Sequence, residues 1–169
     1  MPESTPYTLF TDGACLGNPG PGGYAAIVRR GAQEREFSGG FRRTTNNRME
    51  ITAAIVALEN IPAGSVATLY SDSSYVVQAV EQGWARNWKA RGWKRPDKQK
   101  ALNPDLWEKL LRLLDARDVK FVWVRGHAGH PENERCDRLS FAAAGRPNQP
   151  PDAGYEAVAA PKPPQSRLF

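Results

Sequence analysis

The stretch Tyr7-Thr8-Leu9-Phe10-Thr11-Asp12-Gly13-Ala14-Cys15-Leu16-Gly17-Asn18-Pro19-Gly20-Pro21-Gly22-Gly23 decides the fold. Its first five residues are aromatic, β-branched or aliphatic, the composition of a strand, and the run delivers one carboxylate, Asp12, to a Gly/Pro/Asn segment. Tyr24 to Arg30 is β-rich in turn, so the two runs read as antiparallel strands joined by an extended turn. An ordinary strand followed by an ordinary turn fits the same residues. Asp12 becomes chemical only if other groups are brought to it.

Outward from this pair, Gln33 to Phe41 reads as a third strand after the turn at Gly31. Thr45 to Asn60 changes period: Met49, Ala53, Val56 and Ala57 recur at three and four residues, one face of a helix that stops before Pro62. Val66 to Ser71 is a short apolar run, hence a buried strand, and Asp72-Ser73 supplies N-cap chemistry for a helix to about Val80. Trp84 to Trp93 reads as a short basic helix. Asn103-Pro104 reads as an N-cap with proline at the first position of a helix reaching Asp115. Val119 to Val124 is a last strand, and Pro131 opens a helix that carries Asp137 and ends at Gly145. Three antiparallel strands, a helix, a strand, helices, a strand and a helix predict a mixed α/β sheet. Ligands of such sheets gather beyond the carboxyl ends of parallel strands, where Asp12 and Asp72 both emerge if their strands are neighbours.

The 169 residues suit one domain with its own core. The net charge of +5 is concentrated, because Trp84 to Lys100 holds seven basic residues against Asp97 alone. A basic patch on a near-neutral body fits a polyanion as well as it fits a solvated face. No segment reaches the roughly 18 apolar residues of a membrane helix, and no leader pattern opens the chain; a soluble, cytoplasmic monomer is expected. Cys15 and Cys136 are the two cysteines, and reduced thiols are the expectation in a chain of this size. From Asn148 to Arg167 the composition turns to Pro, Ala and small polar residues, which predicts a disordered tail over 148–169 after a domain spanning 1–147.

Glu50 lies on the first long helix and Asp137 on the last, so four acids, Asp12, Glu50, Asp72 and Asp137, can face one sheet edge. Carboxylates brought that close repel, and raised pKa values or bound cations relieve the repulsion. Oxygen-only ligation favours Mg²⁺ or Mn²⁺ over Zn²⁺. Each acid alone is equally a cap or a surface group; the set carries the reading.

The residues Phe10 to Gly13, Cys15 to Tyr24, Thr44 to Glu50, Ser71-Asp72-Ser73, Trp84 to Lys94 and Val124 to Asp137 together resemble bacterial ribonuclease HI, in one order over about residues 6 to 145. The resemblance implies a five-stranded mixed sheet, three strands antiparallel and two parallel, flanked by helices. It implies a two-metal endoribonuclease that cuts the RNA strand of RNA·DNA hybrids, leaving 5′-phosphate and 3′-hydroxyl ends. Two Mg²⁺ ions would be held by Asp12, Glu50, Asp72 and Asp137, with Asp12 bridging them, and His127 would move protons or assist product release. Cys15, Asn18, Asn46 and Asn47 match positions around the RNA minor groove. Ser74 departs from the glutamine of many relatives. Trp84, Trp88, Lys89, Arg91, Trp93 and Lys94 match the basic protrusion, here 84–100, that grips the DNA strand, with Thr45, Asn87 and Arg48 near a DNA-phosphate pocket. The glycines from 17 to 23 read as backbone cleared for the RNA strand. A non-catalytic hybrid-binding module, or another two-metal nucleic-acid enzyme of similar fold such as a transposase or resolvase, is the alternative; the first needs a broken acid set and the second another acid spacing. The last residues, Gln165-Ser166-Arg167-Leu168-Phe169, resemble the Gln-x-x-Leu-Phe peptide that docks on the bacterial β sliding clamp, with Gln165, Leu168 and Phe169 as its anchors.

Overall fold

The computed structural model describes residues 5–94, 102–126 and 129–159. Five strands form one sheet in the order β3-β2-β1-β4-β5: β1 (Tyr7–Cys15), β2 (Gly20–Arg30), β3 (Gln33–Thr44), β4 (Val66–Ser71) and β5 (Asp118–Trp123). β1 is central. It runs antiparallel to β2, with Asp12 opposite Ala25, and parallel to β4, with Thr11 beside Ser71. β4 and β5 are parallel in turn, so the expected three antiparallel and two parallel strands are present.

Successive residues of a strand point to opposite faces, and here both faces are covered. Leu9, Ala26 and Val28 join the larger core with α1 (Asn46–Glu59), α2 (Ser74–Glu81) and α4 (Pro104–Asp115). Phe10, Ala25 and Ile27 face the other way and pack on Cys136 of α5 (Pro131–Ala144). Two-sided burial explains why β1 and β2 show apolar residues at both parities. It also explains α1, whose buried residues extend beyond the expected stripe to Ile51, Ala54, Ile55 and Leu58, because α1 lies between the sheet and Trp107, Leu110 and Leu111 of α4.

The glycine-rich segment differs from the expected extended turn. β1 runs to Cys15 and β2 begins at Gly20, so only residues 16–19 turn. The glycines allow helices to approach the sheet. A Cβ on Gly13 would stand 2.5 Å from the backbone nitrogen of Glu50, and one on Gly23 would overlap the backbone of α5 at Ser140 and Ala144. Gly13 and Gly23 thus serve packing.

The tail also differs. Residues 148–159 lie against the domain and include α6 (Ala153–Ala159). The Gln149 side chain donates to the carbonyl of Ala143, the backbone N–H of Arg42 donates to Pro150 at 2.9 Å, and Arg42 pairs with Glu156 at 2.7 Å. Asp152 is buried. It accepts from Thr44 Oγ1 at 2.7 Å and from Arg48 at 2.7 and 2.9 Å. Composition measures apolar content, and this segment is held by ion pairs instead. The clamp-like motif lies outside the described residues.

Two cap assignments shift as well. Asn103 sits at the N-cap position of α4 in the left-handed region (φ 61°) and makes no capping bond; its side chain accepts from Arg48 at 3.2 Å. Ser73, not Asp72, caps α2, accepting from the N–H of Val76 at 3.2 Å.

Candidate active site

Because Ser73 caps α2, the carboxylate of Asp72 is left free for other work. The parallel register of β1 and β4 ends at Thr11 and Ser71, so Asp12 and Asp72 leave the paired region side by side. Thr45 caps α1, accepting from the N–H of Arg48 at 3.2 Å. That start places Glu50 at the second turn, over Gly13, where the absent Cβ lets the helix close on the strand. Oxygen atoms of Asp12, Glu50 and Asp72 lie within 4.8 Å of one another. Asp137 completes the surround from α5: with Asp12 and Asp72 it lines both the main depression and a narrower one beside it.

Two of these acids are buried, Asp12 and Glu50 each 5% exposed. Burial pushes the Asp12 carboxyl up to about 7; a hydrogen bond shared with Glu50 and the Gly13 N–H, 2.8 Å from Oδ1, oppose the rise, and the charges of Asp72 and Asp137 add to it. Glu50 is raised well above its ordinary value, by burial first and then by the charge of Asp12. Glu50 Oε1 is buried with no hydrogen-bond partner. An unsatisfied buried carboxylate oxygen is costly, and a cation is the natural partner in an all-oxygen set. The donor set fits a hard divalent cation.

The main depression is also lined by Cys15, Asn46, Asn47 and Ser74, four residues singled out in the sequence. Asn46, Asn47 and Ser74 are exposed. Asn18 orients this wall, its Oδ1 accepting from the N–H of Asn46 at 3.1 Å. Cys15 is half-buried and lies with Sγ 3.4 Å from the carbonyls of Gly20 and Thr44; burial raises its pKa, which keeps it a thiol. His127 lies outside the described residues.

The aromatic and basic residues of α3 (Trp84–Ala90) and its flank separate into two groups. Trp88 and Trp93 pack against the core, and Trp88 stacks on Tyr75 with centroids 6.4 Å apart and meets Trp107 edge-on at 5.9 Å. They anchor the protrusion. Trp84, Asn87, Lys89, Arg91 and Lys94 are exposed, and among the described residues none of the three cations meets a carboxylate. Arg48 is corrected outright: 3% exposed and shared between Asp105 and Asp152, it is a structural cation and not a phosphate contact.

Sequence reasoning missed several lining residues. Asn133 and Glu134 precede Asp137 on α5 at helical spacing and line the narrower depression with His130; Phe141 follows Asp137 by four residues and lines the main one. Helical spacing on α5 was the signal that could have found them.

A mixed sheet that gathers buried acids at the end of its central strand and the parallel neighbour, beside an exposed basic helix, defines an acid-site hydrolase acting on a polyanion. The family model described as RNase H matches residues 4–145. A ribonuclease H of Syntrophus aciditrophicus is 60% identical over 147 residues, covering 87% of this chain and 85% of that protein; one of Desulforamulus reducens is 59% identical, covering 86% and 91%. Among solved structures, LC9-RNase H1, a type 1 RNase H with the type 2 active-site motif, superposes with a TM-score of 0.75 at 29% identity, covering 98% of this chain and 91% of that one. The chain belongs to the RNase H family.

Proposed function

We propose that the protein hydrolyses the RNA strand of RNA·DNA hybrids with two Mg²⁺ ions, acting as a monomer in the cytoplasm. The observation that carries the reading is the orphaned oxygen of Glu50 within the Asp12, Glu50 and Asp72 cluster. Asp12, Glu50, Asp72 and Asp137 would hold the ions, Mn²⁺ substituting. Such ions, when bound, lower the pKa of an attacking water and stabilise charge on a leaving oxygen. The protein's own contribution is to hold four carboxylates ready, so that the acids need not reorganise as substrate arrives.

A hybrid differs from either pure duplex in carrying 2′-hydroxyls on one strand alone. Asn46 and Asn47 present short exposed amides in the depression that Cys15 also lines, and these suit a hydroxyl that both donates and accepts. Asn18 and Thr45 set the pose of these residues. Ser74 supplies a hydroxyl with shorter reach than the amide of many relatives. Lys89, Arg91 and Lys94, with Trp84 and Asn87, suit the second strand's phosphates. His127, which falls between β5 and α5 in sequence, would shuttle a proton or assist product release. Residues 165–169 would tether the enzyme to the β sliding clamp, Leu168 and Phe169 filling an apolar pocket.

The test offers matched RNA·DNA hybrid, double-stranded RNA, double-stranded DNA and single-stranded RNA in Mg²⁺. Cleavage confined to the RNA of the hybrid and lost in Asp12→Asn is expected; cleavage of plain duplex DNA, or an active Asp12→Asn protein, overturns the reading. For the tail, purified clamp should retain the full chain and release a chain shortened by residues 165–169.

A further inference from the structure

Two aromatic residues, Tyr75 and Phe141, line the main depression among its acids, amides and hydroxyls. Tyr75 is accounted for by the core: its ring meets Trp107 and Trp88 with centroids 5.7 and 6.4 Å away, and its hydroxyl accepts from the Trp107 indole at 3.1 Å. Phe141 is not. Elsewhere on α5, Cys136, Ala143 and Ala144 are buried and Leu139 packs against the smaller core. Phe141 stays 49% exposed, and among the described residues it enters no aromatic pair. Four residues after Asp137, it lies on the same helix face, one turn along from an acid of the site.

This places an uncharged aromatic on one wall, with Cys15, Asn46 and Asn47 also lining the depression. The chain cut at the acids must lie along this depression, so its nucleotides pass beside Phe141. A phenyl ring offers no hydrogen bond and no charge; what it can meet is the flat apolar face of a sugar or base. We infer that Phe141 is a substrate-binding residue that packs on the nucleotide of the cleaved strand next to the scissile phosphate on the Asp137 side. The inference rests on the proposed cleavage of a polynucleotide at this site. It adds a nonionic interaction to a surface otherwise read through amides and cations.

Nonionic packing releases no counterions, so removing it weakens binding equally at all salt concentrations, whereas removing a cation from a phosphate lowers the salt slope. The test measures binding of labelled RNA·DNA hybrid by fluorescence anisotropy in the Asp12→Asn background, with and without Phe141→Ala, between about 50 and 200 mM salt. Phe141→Ala should raise Kd roughly tenfold, the effect of one stacked base, with an unchanged slope of log Kd against log salt. Phe141→Tyr should restore binding, and the thermal midpoint of every variant should match its parent. A Kd within about twofold of the parent, a changed salt slope, or weakened binding that Tyr does not rescue overturns the inference. Binding is read without turnover, so a wild-type protein that fails to cut hybrid would sink the hydrolase reading by itself and leave this measurement standing.

Discussion

The indole N–H of Trp123 donates to the backbone carbonyl of Asp72 at 3.1 Å. The ladder between β4 and β5 ends at Ser71 and Trp123, with the Val124 N–H on the Ser71 carbonyl at 2.9 Å. The tryptophan side chain therefore extends the sheet's hold by one residue, to the acid itself. Trp123→Phe keeps a ring and removes the donor. One hydrogen bond is worth about 1 kcal/mol net, so the Mg²⁺ concentration for half-maximal cleavage should rise about fivefold. A Mg²⁺ titration of cleavage alongside thermal melting checks this, with the melting midpoint almost unmoved.

The acid cluster trades stability for readiness. The folded-state pKa of Asp12 is raised from 3.8 to about 7, so its contribution is fully present below pH 3.8 and is lost as pH climbs through 7. Asp12→Asn without metal should therefore stabilise the protein at about pH 8, by on the order of 2–4 kcal/mol, and stop doing so below about pH 4. Glu50→Gln should act in the same direction. Urea unfolding at both pH values, with EDTA, measures it; added Mg²⁺ should narrow the gap on the alkaline side by stabilising only the parent.

Arg48 predicts the opposite pH limb. Burial would raise the Asp152 carboxyl, but hydrogen bonds from Arg48 and Thr44 hold it below its ordinary value, and Arg48 likewise lowers Asp105. These depressed carboxylates stabilise the fold above their unfolded pKa of 3.8 and cease to as pH falls through their lower folded values. Arg48→Ala strands a buried carboxylate and should cost about 3–5 kcal/mol near pH 7. Asp152→Asn should cost less, and its deficit should shrink below pH 3.8. Denaturant unfolding from acid to neutral pH follows both.

The basic helix predicts a salt effect. Lys89→Ala, Arg91→Ala and Lys94→Ala should each lower the magnitude of the slope of log KM against log salt by about 1, provided the side chain neutralises one phosphate. Trp88→Ala should instead lower the melting midpoint, since its ring packs against both Tyr75 and Trp107. Steady-state kinetics at several salt concentrations separates the two classes.

Much of this architecture is legible in the amino-acid string. Aromatic and β-branched composition marks β1 and β2, and the change of period at Thr45 marks α1, because side-chain direction follows secondary structure. Asp12 and Asp72 can be paired because parallel neighbours end together. What escapes depends on partners remote in sequence. The glycines at 13 and 23 carry no mark of which helix presses on them. Trp88 and Trp84 look alike in a string, yet one meets Trp107 and the other meets water. Asp152 sits among prolines and alanines, and Arg48 and Thr44, 104 and 108 positions earlier, explain it.

Three acids of the site lie within the first 72 residues, and the fourth wall is α5, which begins at Pro131 and settles on β1, β2 and β3. During synthesis, then, Asp137 arrives last: a chain stopped before Pro131 holds Asp12, Glu50 and Asp72 but neither Asp137 nor the helix that packs on β1, β2 and β3. Such a chain carries three of the four acids of the site and none of the wall that α5 contributes.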